Sequence, residues 1–74
     1  MSDIVAALGE QALIEGFRLA GASVLAAETD DDVRAGWAAI PGNAKVVILT
    51  PRAAAALGAR LADPQSPMTV VLPS

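Results

Sequence analysis

The stretch Ala44-Lys45-Val46-Val47-Ile48-Leu49-Thr50-Pro51 decides how this chain folds. It passes from polar residues into a short, nearly continuous apolar run and stops at Thr-Pro. A run of this length and composition reads as a strand covered on both faces, as in the interior of a parallel sheet. Thr50 is placed to accept a hydrogen bond from the first turn of a following helix, and Pro51 suits that helix's first position. One segment thus supplies a central strand, a stop and a helix start.

Working outward, the same logic recurs. Ile4 to Leu8 is an apolar strand candidate ending at Gly9. From Gln11 to Ala20, Leu13, Gly16, Phe17 and Ala20 fall at helical spacing, and Gly21 stands where a helix stop wants a left-handed residue. Ser23 to Ala27 is the second strand candidate. Thr29 is a cap, and Asp30, Asp31 and Asp32 suit the positive end of the next helix dipole. Val33, Gly36, Trp37 and Ile40 form that helix's apolar stripe, and Pro41-Gly42 ends it. A third helix is expected from Pro51 to about Ala62, with Ala54, Leu57, Gly58 and Leu61 inward. Gly58 in its interior costs about 1 kcal/mol relative to Ala, which close approach of helix to sheet would explain. After a loop over Asp63 to Pro67, Met68 to Leu72 is the fourth strand.

The expected order is β-α-β-α-β-α-β: an α/β domain over residues 1–74 with a four-stranded parallel sheet in the flavodoxin-like order 2-1-3-4. In that order helix one lies on one side of the sheet and helices two and three on the other. The sequence stops after strand four, so one side of strands three and four is expected to lack a cover. The uncovered positions are alternate residues among Val46, Val47, Ile48 and Leu49, and among Met68, Val70, Val71 and Leu72. Strand periodicity alone leaves the parity open. An exposed apolar face of this kind marks a partner site.

Composition narrows the chemistry. The 74 residues contain no Cys, which removes a thiolate nucleophile and thiolate metal ligands, and no His, which removes the commonest general base and metal ligand. Five basic residues against eight acidic ones, net −3, form no basic stripe for nucleic acid. No apolar run approaches the roughly 20 residues of a membrane span, and no leader peptide is visible, so a cytoplasmic protein is expected. The switch point of the sheet falls at Gly9, Glu10, Thr50 and Pro51. A response-regulator receiver needs an acidic pair, an Asp and a Lys there; this chain offers Glu10 alone and Thr50 in place of the Asp. Gly9-Glu10-Gln11 is neither a dinucleotide fingerprint nor a P-loop. Glu10 and Glu15 read as solvated helix residues, Trp37 as core, and the arginines as helix surface charge. No catalytic, cofactor or metal constellation is present.

The segment Ile4-Val5-Ala6-Ala7-Leu8-Gly9-Glu10, with Gly16-Phe17-Arg18-Leu19-Ala20-Gly21, resembles the F-subunit family of the V-type and A-type rotary ATPases. Val47-Ile48-Leu49-Thr50 and Val70-Val71-Leu72-Pro73-Ser74 are similar to that family's third and fourth strands. The resemblance implies a non-catalytic central-stalk component of a proton-transporting ATP synthase or ATPase. Such a component binds the coiled-coil shaft, formed by the D-subunit family, and is peripheral to the membrane through the complex. The family's C-terminal helix has no counterpart in this sequence. Two other readings stand beside this one. One is a stand-alone homodimeric interaction module. The other is a small anion-binding domain using the turns at Gly9 and Thr50.

Overall fold

The computed structural model describes residues 3–73. Four strands, β1 (Ile4–Gly9), β2 (Ser23–Ala26), β3 (Ala44–Leu49) and β4 (Met68–Val71), form one sheet in the order β2-β1-β3-β4. Every pairing is parallel. The arrangement is therefore the flavodoxin-like one expected from the alternation of strands and helices. Between β1 and β3 the register shifts: Ile4 pairs with Ala44 and Val5 with Val46, which leaves exposed Lys45 as the extra residue.

Two helices, α3 (Asp30–Ala38) and α4 (Pro51–Leu57), pack against each other and against the two central strands. Their shared core holds Ala6 and Leu8 of β1, Val47 and Leu49 of β3, Val33, Ala53 and Leu57. Both helix starts follow the sequence reading. The Thr29 hydroxyl accepts from the Asp32 amide at 3.1 Å, and the Thr50 hydroxyl accepts from the Ala53 amide at 3.2 Å. The carboxyl side chains of Asp30, Asp31 and Asp32 occupy the first turn of α3, where the dipole favours them. Val33 is buried, with Gly36, Trp37 and Ile40 partly covered or beside it, so the predicted stripe of this helix is the observed one.

The other helices depart from expectation. The single helix predicted over residues 11–20 is two one-turn pieces, α1 (Gln11–Ile14) and α2 (Gly16–Leu19). The Glu15 amide bonds four residues back to Gln11, but the Arg18 amide bonds only three back, to Glu15. The tighter bond breaks the ladder just where Gly16 contributes least to holding it. The inward residues are accordingly Ile14, fully buried, and half-buried Phe17; Leu13, Gly16 and Ala20 are exposed. In α4 the buried line is Ala53 and Leu57, with Ala54 and Leu61 only partly covered. Gly58 is not a close-approach position. It has φ 51° and ψ −121°, open space around it, and ends α4, after which the chain runs on as a 3-10 turn over Gly58–Ala62. The close approaches occur elsewhere: a Cβ on Gly36 would lie 2.7 Å from Leu8 Cδ1, and one on Gly9 would collide with the Thr50 side chain.

Candidate functional site

Side chains alternate across a strand, and neighbours in register share a face. Val47 and Leu49 belong to the core beneath α3 and α4, so Val46 and Ile48 point the other way. Their register partners on β4, Met68 and Val70, point with them, as does Val5 on β1. The structure thereby fixes the parity that the sequence left open. Ala7 and Ile14 are fully buried outside the α3–α4 core, where α1 lies against β1 and β2. Beyond Phe17, among the described residues, no helix extends over β3 and β4 on this side. Met68 is 69% exposed, Val70 48% and Val5 40%, while Val46 and Ile48 are half-buried. A hollow of about 330 Å³ separates α2 from the sheet, with Val5, Phe17, Ala20 and Ile48 in its wall. The result is a continuous apolar face running from β1 to the sheet edge.

Four of the candidate partner residues need correction or relocation. Val47 and Leu49 are 0% exposed and face the helices, so they cannot meet a partner of the folded chain. Val71 shares their parity but is exposed because β4 is an edge strand that α4 does not reach over. Leu72 lies just past β4, half-buried, with its amide donating to the Leu49 carbonyl at 2.8 Å. The face therefore consists of Val46, Ile48, Met68 and Val70, extended by Val5. Val5 falls within the short apolar run Ile4 to Leu8, which reads only as a buried strand. A run apolar at every position carries no alternation, so nothing in the sequence singles Val5 out.

The switch point at the carboxyl ends of β1 and β3 is closed by the chain's own groups. Thr50, completely buried, donates its hydroxyl to Glu10 Oε1 at 2.5 Å while accepting from Ala53. Gly9 makes this possible, since a side chain there would occupy the space of Thr50. The Gln11 amide donates to Glu28 Oε2 at 2.9 Å. The Thr50 hydrogen bond, then one from Glu10's own backbone, hold the Glu10 carboxyl below the usual range; partial burial opposes them, and Arg52 adds a smaller attraction. Two carboxylates thus sit at the donors an anion would need. The anion-binding turns expected at Gly9 and Thr50 are internal contacts, and the local charge repels an anion.

A second, wider hollow of about 610 Å³ opens at the other end of the strands, beside Trp37, Lys45, Asp63 and Met68. Its polar rim is committed to the loop: Asp63 Oδ1 accepts from the Gln65 amide at 2.9 Å, and Ser66 Oγ donates to the Arg60 carbonyl at 3.0 Å. Among the described residues no group of His, Cys, Asp and Glu could hold a metal ion, and no helix is long and apolar enough to cross a membrane. No protein-family model and no curated protein matches the chain.

Proposed function

We propose that this chain is a non-catalytic protein-binding domain that acts in the central stalk of a rotary ATPase. Its partner is the coiled-coil shaft of that stalk. The observation that carries the reading is the apolar face of Val5, Val46, Ile48, Met68 and Val70, which lacks a described cover on β3 and β4. Burial of this strip against a helix of the shaft is the driving force. The resemblance of the strands and the first helical segment to the stalk family supports the choice of partner. The closed switch point supports a binding role over a catalytic one, because Glu10 and Thr50 are each engaged by the other.

Titration of the protein into the coiled-coil shaft of the same organism's rotary ATPase tests this. A stoichiometric complex that is lost in Val5→Asp and weakened at least tenfold in Ile48→Ser is expected. Absence of a complex with the unaltered chain would overturn the assignment of partner. A complex indifferent to both substitutions would overturn the assignment of surface.

A further inference from the structure

The free edge of β4 carries a pattern of its own. The Leu72 amide donates to the Leu49 carbonyl on β3. Backbone groups alternate sides along a strand, so Val70 also bonds inward, and the amides and carbonyls of Thr69 and Val71 point outward. β4 is the last strand in the sheet order, so no described strand meets these groups. Met68–Val71 itself carries no charge, proline or bulge; its shortness and the flanking Pro67 and Pro73 confine any pairing to these four residues. Met68 and Val70 are exposed on the open face, and Val71 is exposed on the helix side beside half-buried Thr69. Between Asp63 and Pro73 there is no ionisable side chain, so two copies that each carry net −3 can approach here without like charges in contact.

We propose that β4 pairs antiparallel with β4 of a second copy, about a two-fold axis through Val70. In that register Thr69 faces the partner's Val71, and Val71 faces the partner's Thr69. Each pair exchanges two N–H···O bonds, so all outward groups of both residues are satisfied at once. Val70 packs on the partner's Val70 on the open side. The pattern is self-complementary, which is why the occupant is a second copy: two outward residues flank one inward residue, and a two-fold axis maps the set onto itself. The axis stands normal to the sheet, so both open faces end on the same side of an eight-stranded layer and stay accessible. Met68 and Val70 belong to both surfaces, so the two associations are told apart at residues that only one of them uses: Val5 for the shaft, Thr69 and Val71 for the edge. The edge is short, so the dimer belongs to the weak, transient class.

Sedimentation across micromolar to millimolar concentration, joined to amide exchange at both ends of that range, tests the proposal. Expected is a monomer–dimer equilibrium in which the Thr69 and Val71 amides exchange about tenfold or more slowly at high concentration, while Val70 is unaffected. Thr69→Pro and Val71→Pro each remove an outward donor without touching the β3 ladder, and each should raise the dissociation constant about tenfold or more. Val5→Asp, far from the edge, should leave it unchanged. A wild-type chain that stays monomeric throughout overturns the proposal. So does a dimer abolished by Val5→Asp yet indifferent to both proline variants, which would be an open-face dimer. Loss of shaft binding alone leaves the edge pairing standing, and a monomer that still binds the shaft overturns only the pairing.

Discussion

The two sides of this sheet start from the same kind of residue and end in different states. Val47 and Leu49 on one side and Val46 and Ile48 on the other come from one uninterrupted apolar run. The first pair is fully buried beneath α3 and α4; the second is half open. Composition does not distinguish them. What does is the helix supply: two well-capped helices cover one side, while on the other the two one-turn pieces pack mainly on β1 and β2. An apolar strand residue is therefore evidence of burial only when something is available to bury it.

A matched pair of substitutions on β3 should separate the two sides most. Leu49→Ala should cost about 2–5 kcal/mol, because the α3–α4 core cannot collapse into the space. Ile48→Ala should cost less than about 1.5 kcal/mol, since its side chain already meets solvent. Urea unfolding of the two variants measures both, and equal losses would mean that the two sides are equally covered.

Glycines give the next contrast. Gly9→Ala should destabilise by about 1–3 kcal/mol, because the added methyl has to displace buried Thr50. Gly16→Ala, on the open side with nothing within 4 Å, should instead stabilise by about 0.4–1 kcal/mol. Thermal unfolding of the pair reads the opposite signs directly. Two losses would mean that α2 sits against a cover.

Thr50→Val should cost about 1–2 kcal/mol, through the lost cap of α4 and the orphaned Glu10 carboxylate. The smallest effect is on pH dependence. The folded-state pKa of Glu10 is depressed, so the stability it contributes is complete above the unfolded value of about 4.3 and is lost as pH falls through the lower folded value. The gap in stability between the natural chain and Glu10→Gln should be constant near neutrality and close below about pH 4. A gap that persists unchanged in acid would mean that the Thr50 bond does not favour the carboxylate.

The fold was legible because its punctuation is chemical. Thr50-Pro51, Thr29 and Gly21 each mark an element end by a specific hydrogen bond or backbone conformation, and the structure uses them so. The break in the first helix was not legible, since Leu13, Gly16, Phe17 and Ala20 mimic a continuous stripe while the real inward residues are Ile14 and Phe17. Gly58 misleads for a related reason: spacing shows where a residue falls, not its φ. The open face was visible as a topological consequence, but its parity was not, because a run apolar at every position carries no period-2 signal. The closed switch point was hidden as well. Glu10 and Thr50 are 40 residues apart, and only the β1–β3 pairing brings them within 2.5 Å.

The most direct test of the central claim, that the uncovered side of the sheet is a protein-binding surface and not part of the core, is a paired measurement on Val5→Asp: its melting temperature and its affinity for the coiled-coil shaft. The account predicts a melting temperature within a few degrees of the natural chain and a complex too weak to detect. A large fall in melting temperature, or an unchanged affinity, would contradict it.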